Sequence, residues 1–309
     1  MCRSLVTVLS FLIVFSTTES ASKPQQPGAS SDAELVTITA SVRDKKGGFV
    51  MGVPREYFSV VDGKTSRPIE DLQNADPPIS LGLLVDTSYS MQQAQIKDRT
   101  ASVGSALARF IDLGHRDNEY FVVAFDKESR LLMDWQSGPA LRASGIHAVK
   151  ADRSTAFYDA CFSAFEKLKT AKNARRALLI FSDGQDNASK HTFKELRDQL
   201  RDSDILFYAI GISFGADIGS SLGLEGASIL KELAELTGGT AVFPIDGKEL
   251  TAALELLAVE MRHQYRLAFR VPKSEPGTWR EIKLRVTAPK DVAAFNDLKV
   301  KTRRGYVTH

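Results

Sequence analysis

Residues Leu81 to Met91 read LGLLVDTSYSM. Leu81 to Val85 form an unbroken apolar run, the length and composition of a strand buried on both faces. The run stops at Asp86, and oxygen-bearing side chains follow at alternate positions: Asp86, Ser88 and Ser90. One carboxylate and two hydroxyls at the end of a core strand suit either a helix cap or one half of a cation cage. The surrounding sequence has to decide between them.

Outward from this strand, apolar strands alternate with amphipathic helices. Strands are predicted at 80–85, 119–125 (EYFVVAF), 176–182 (RALLIFS), 204–210 (DILFYAI) and 240–244, with an edge strand at 130–135. Helices are predicted at 91–112, 139–149, 157–171, 192–201, 227–237 and 247–263, and Gly238-Gly239 is a helix stop. This alternation predicts an α/β domain over 79–262, a doubly wound, mostly parallel sheet (Rossmann-like) with helices on both faces.

The periodicity changes to two on either side. Val36, Ile38, Ala40 and Val42 alternate with Thr37, Thr39 and Ser41, and YFSVVDGKTSRPI adds a strand with an Asp62-Gly63 turn. Beyond 262, Tyr265, Leu267 and Phe269 share one face, as do Ile282, Leu284 and Val286, and DLKVKTRRGYV closes the chain. Residues 34–78 and 263–309 are therefore expected to build one small β-sandwich from both ends, with the α/β domain inserted between them.

Of the 309 residues, 43% are hydrophobic and 25% charged, the profile of a soluble globular protein. The formal net charge is +2, and basic residues are scattered apart from Lys299, Lys301, Arg303 and Arg304. That balance argues against a nucleic-acid partner. At the start, Arg3, the apolar LVTVLSFLIVF (Leu5 to Phe15) and the small residues of STTESAS read as a signal peptide, residues 1–20, cleaved after Ser20. The apolar run is too short to span a bilayer. Residues 21–33, ASKPQQPGASSDA, read as a flexible leader. The expectation is a protein that is secreted, periplasmic or at the cell surface, with no transmembrane segment after cleavage. Cleavage removes Cys2 and leaves Cys161, so neither an internal disulfide nor a thiolate metal site is expected.

In a doubly wound sheet, ligands bind at the carboxyl ends of neighbouring strands whose helices leave to opposite faces. Asp86 ends the first strand, and Asp183, in FSDGQDN, follows strand 176–182. Thr155 lies in the loop DRSTAFYDA just ahead of a helix. Asp86, Ser88, Ser90, Thr155 and Asp183 together offer hard oxygen donors with no His or thiolate, a set for Mg²⁺, Mn²⁺ or Ca²⁺. Two carboxylates neutralise such an ion formally, and the hydroxyls add no charge. The ion keeps room for an Asp or Glu from a partner protein. The plainer roles of the same residues are helix caps for Ser88, Ser90 and Thr155 and an ordinary turn for Ser182-Asp183-Gly184.

DTSYS, the threonine of STAFYDA and the aspartate of FSDG resemble the metal ion-dependent adhesion site (MIDAS) of von Willebrand factor type A (VWA) domains, in residue type and order, over residues 79–262. YFSVVDGK, PISLGLLVDTSYSM and the terminal VKTRRGY extend the resemblance to secreted bacterial proteins called VWFA-related. The resemblance implies a metal-dependent protein-binding module for adhesion or scaffolding rather than an enzyme. This chain departs from it at Arg153 and Ser154, where family members commonly have glycines. That departure bears on the path of the loop and not on the ligand.

Two enzyme readings compete. GISFG, residues 211–215, matches the G-x-S-x-G elbow of α/β-hydrolases, with Ser213 as nucleophile and Asp246 and His263 downstream. Against it, a helix should start at once, whereas SFGADIGSSLGLEG, 213–226, reads as a long Gly/Ser-rich loop, on the metal edge and suited to shaping partner choice. A metal-dependent phosphatase using Asp86 as nucleophile needs a second Asp two residues on as general acid, and Ser88 stands there. Tyr89 and Met91 beside the metal loop suit either the rim of a binding face or packing of the first helical turn. NAS, 187–189, is a glycosylation sequon in a host that uses one.

Overall fold

The computed structural model describes residues 33–74, 76–89, 97–144, 154–212 and 220–308. First come β1 (Ala33–Arg43), β2 (Phe58–Asp62), β3 (Thr65–Pro68) and β4 (Asp71–Gln73). The middle of the chain carries β5 (Ile79–Asp86), α1 (Lys97–Leu113), β6 (Glu119–Phe125), β7 (Ser129–Ser137), α2 (Gly138–Ser144), α3 (Phe157–Leu168) and β8 (Arg175–Ser182). It continues with α4 (Phe193–Asp202), β9 (Leu206–Gly211), α5 (Ser221–Thr237), β10 (Ala241–Val242) and α6 (Gly247–Arg262). Then follow β11 (Gln264–Pro272), β12 (Trp279–Val286), β13 (Lys299–Thr302) and β14 (Gly305–Val307).

The central sheet runs β10-β9-β8-β5-β6-β7. All pairs are parallel except β6 with β7. As the apolar run 81–85 requires, β5 lies in the interior, between β8 and β6. Its alternate side chains divide between two cores. Leu81 and Leu83 pack with residues of α1, α2 and α6, while Leu84 packs with residues of α3, α4 and α5. Each fully buried aliphatic or aromatic side chain contributes about 1.5–3 kcal/mol through removal from water. β5 is thus the strand whose neighbours send helices to both faces, and its carboxyl end is the crevice expected of a doubly wound sheet.

The flanking segments form two antiparallel sheets, β13-β1-β11-β4 and β14-β12-β2-β3. Each joins strands from both ends of the chain, with Ile38 opposite Leu267 in one and Val60 opposite Leu284 in the other. Their inward faces close a shared core of Val36, Ile38, Phe58, Val60, Phe269 and Ile282 among others. The period-two residues Tyr265, Leu267 and Phe269 are all fully buried there.

Some boundaries differ from expectation. α5 begins at Ser221, six residues before the predicted 227, with the Ser220 side chain accepting from Gly223 N as its cap. SLGLEG is therefore helix and not loop. α3 ends at Leu168, short of the predicted 171. The signal peptide 1–20, residues 21–32 of the leader, Ser90, Met91, Arg153 and Ser213 lie outside the described residues. So do 91–96 of helix 91–112, 145–149 of helix 139–149 and 213–219 of loop 213–226. Among the described residues no helix is long and apolar enough to cross a membrane.

Candidate metal centre

Asp86 ends β5 and is 3% exposed. Its Oδ1 accepts from Ser88 N at 2.9 Å, so the carboxylate shapes its own loop, and Ser88 is itself buried. Thr87 holds the loop to the end of β6: its backbone N–H and its hydroxyl both donate to Phe125 O, at 2.8 and 3.0 Å. On the other side the Ser182 hydroxyl, at the end of β8, donates to Asp86 Oδ2 at 2.7 Å and accepts from Gly184 N at 3.0 Å. Asp183 follows, also buried, with Oδ1 accepting from Gln185 N at 3.0 Å. Burial pushes the Asp86 carboxyl up to about 7; hydrogen bonds from Ser88 and Ser182 oppose that rise, and the Asp183 charge reinforces it.

Thr155 is buried and stands two residues ahead of α3. It does not cap that helix. The N-cap position is Ala156, which has no capping side chain. The first-turn amides are satisfied instead from the loop after β8: Tyr158 N donates to Asp186 Oδ2 at 3.0 Å, and Asp159 N to Ser189 Oγ at 3.0 Å. Asn187 completes the clasp. Its Oδ1 accepts from Thr155 N at 2.9 Å, and Asn187 N and Ala188 N donate to Thr155 O at 2.9 and 3.1 Å. Thr155 and Asp183 are thus tied together by residues 186–189, and the threonine hydroxyl takes no part in the tie.

Glycine makes the other wall possible. Gly184 has φ +79°, and a Cβ there would lie 2.4 Å from Gly226 O. A Cβ on Gly226 would lie 2.2 Å from Asp183 O. The first turns of α5 press directly on the Asp183–Gly184 backbone, which is why SLGLEG carries glycine inside a helix.

Four of the five sequence candidates, Asp86, Ser88, Thr155 and Asp183, sit at one crevice, and Ser90 lies outside the described residues. Among the described residues neither carboxylate has a Lys, Arg or His as ion-pair partner, and no three His, Cys, Asp or Glu side chains gather as a metal cluster. The donor set is two carboxylates plus hydroxyls, which fits a hard divalent cation. Ser182, Asp186, Asn187 and Ser189 were not singled out as site residues from sequence, because Ser, Asp and Asn in FSDGQDNAS read as turn residues.

The structure does not bring together the Asp246 and His263 of the hydrolase reading. Asp246 is the N-cap of α6, its side chain accepting from Glu249 N, and His263 is the C-cap residue of the same 16-residue helix. At 1.5 Å per residue they stand about 26 Å apart. His263 places Nδ1 2.7 Å from Val259 O and stacks on Phe49.

Residues 81–185, about a third of the chain, match the family model of the von Willebrand factor type A domain. Among solved structures, proximal thread matrix protein 1 from the mussel byssus is similar over 66% of this chain and 51% of its own, with a TM-score of 0.50 at 15% identity. A von Willebrand factor type A protein from Catenulispora acidiphila is similar over 90% of this chain and 72% of its own, with a TM-score of 0.49 at 14% identity. The ArnB paralog VWA2 from Sulfolobus acidocaldarius is similar over 90% and 76%, with a TM-score of 0.47 at 13% identity. No curated protein matches. At such identities the likeness is one of fold.

Proposed function

We propose that the von Willebrand factor type A domain inserted in this chain, a protein-interaction module by type, binds one divalent cation through Asp86, Ser88, Ser90, Thr155 and Asp183. The cation, Mg²⁺ or else Mn²⁺ or Ca²⁺, then takes an Asp or Glu side chain of a partner protein. One observation carries this reading. Two carboxylates are buried side by side with hydroxyl donors around them and no basic side chain among the described residues to offset them. A pair of like charges out of water needs a proton or a cation between them. Neutral hydroxyls leave a bound ion electrophilic enough to hold a further carboxylate. Ser88 stands where a phosphatase would need a second Asp as general acid, and binding rather than turnover is the chemistry we propose. The β-sandwich serves as a stalk or a second contact surface. With the leader read from the sequence, the protein works outside the cytoplasm, secreted, periplasmic or at the cell surface, as an adhesion or scaffolding module.

Titration with Mn²⁺, following the electron paramagnetic resonance signal of the free ion, tests it. The expected result is uptake of one ion per chain, weakened at least about tenfold in Asp183→Ala. No uptake, or unchanged uptake in the variant, overturns the reading.

A further inference from the structure

Nine large apolar side chains are exposed among the described residues, and five of them stand at the edge that carries the metal crevice: Tyr89, Leu222, Leu224, Phe243 and Ile245. Their exposures run from 38% for Phe243 to 66% for Ile245. Tyr89 follows β5, Leu222 and Leu224 open the helix after β9, and Phe243 and Ile245 follow β10. In the order β10-β9-β8-β5 these are the carboxyl ends of parallel neighbours. Two contacts fix the arrangement. Gly226 touches the Asp183–Gly184 backbone, and Leu222 lies one turn further out on the same stripe of α5. The Phe243 ring lies against Gly211, at the end of β9.

We propose that Tyr89, Leu222, Phe243 and Ile245 form the apolar half of the partner site, and that the partner offers a Glu or Asp with a large aliphatic residue two to four positions away in an extended segment. The inference rests on the cation reading above. Its spacing follows from the sheet. Strand ends are about 4.8 Å apart, so the apolar ends of β9 and β10 lie roughly 5 to 14 Å from the carboxylates on β5 and β8. An extended peptide covers that range in about two to four residues at ~3.3 Å each. Charge chooses the occupant. Residues 220–226 and 243–246 contain no Lys or Arg, and their charged members are Glu225 and Asp246. Such a rim repels an acidic run or an anionic membrane, which need basic side chains. It accepts a single carboxylate held by the ion with apolar flanks.

The test uses three fluorescein-labelled Gly-Ser peptides, read by fluorescence polarisation in Mg²⁺. One carries a single Glu, one carries Glu with Leu three residues to either side, and one carries the leucines with Gln in place of Glu. The Glu-Leu peptide is expected to bind at least about tenfold more tightly than either control, the range for one buried aliphatic side chain. In Leu222→Ser/Ile245→Ser the preference over the Glu-only peptide falls below about twofold, while Mn²⁺ uptake stays at one ion per chain. Mn²⁺ uptake with equal peptide affinities, or with no peptide bound, overturns this inference alone. So does metal-dependent sedimentation with phosphatidylserine vesicles without peptide discrimination. Absence of Mn²⁺ uptake overturns the cation reading and this inference with it.

Discussion

Asp86 is a buried acid placed beside another acid, and its proton has a thermodynamic consequence. Its carboxyl titrates near 7 in the fold against 3.8 as the ordinary value. Between those two values the native chain holds a proton that the unfolded chain has released. Metal-free stability therefore falls as pH rises through this window. The penalty is absent below about 4, complete above about 7, and on the order of 4 kcal/mol. In chelator, Asp86→Asn should be the more stable protein at pH 8, with the gap closing as the pH approaches 4. Chemical denaturation at four or five pH values checks this, and a gap independent of pH would show that Asp86 is not the strained group.

At the scale of elements, the strands were legible because core strands are apolar runs bounded by turn chemistry. The pairing of β5 with β8 followed from the doubly wound rule. The candidate donors are legible as residue types because Asp86 and Asp183 stand at strand ends and Thr155 just ahead of a helix. What held them was not legible. The support of the Thr155 loop by Asp186, Asn187 and Ser189 depends on two loops about 30 residues apart meeting in space. The early start of α5 was hidden for a related reason: Gly223 and Gly226 read as breakers locally, and only contact with Asp183 explains the second of them. Gly226→Ala tests that contact. Its new methyl group meets backbone, so α5 or the Asp183 loop must shift, at about 1–3 kcal/mol. A loss of at least about fivefold in Mn²⁺ affinity should accompany the fall in stability, as titration of wild type and variant side by side will show.

Across the whole molecule, the sandwich grips the far end of α6. Glu260 is fully buried, 2.7 Å from Arg43 Nη2 on β1 and 3.5 Å from Lys301 Nζ on β13, and it accepts from Thr240 Oγ1 at 3.0 and 2.9 Å. Arg175 adds a second joint, donating to Met261 O at the end of α6 and to the Gln264 side chain of β11. Removing one member of a buried ion cluster leaves the others unpaired, which typically costs about 3–5 kcal/mol. Glu260→Ala should lower stability by that order in urea unfolding followed by circular dichroism, while Mn²⁺ stoichiometry stays at one, because the cluster lies at the end of the sheet opposite the crevice. None of these pairings could be read from the sequence, where Arg43, Glu260 and Lys301 stand in three widely separated segments.

The most direct measurement of the cation site is the thermal midpoint of wild type and Asp86→Asn at pH 7.5, each in chelator, Mg²⁺ and Mn²⁺. The expected result is a reversal. Asp86→Asn melts higher in chelator, wild type gains several degrees with either ion, and the variant gains nothing. A wild-type midpoint that ignores both ions, or an equal gain in Asp86→Asn, contradicts a cation held between Asp86 and Asp183.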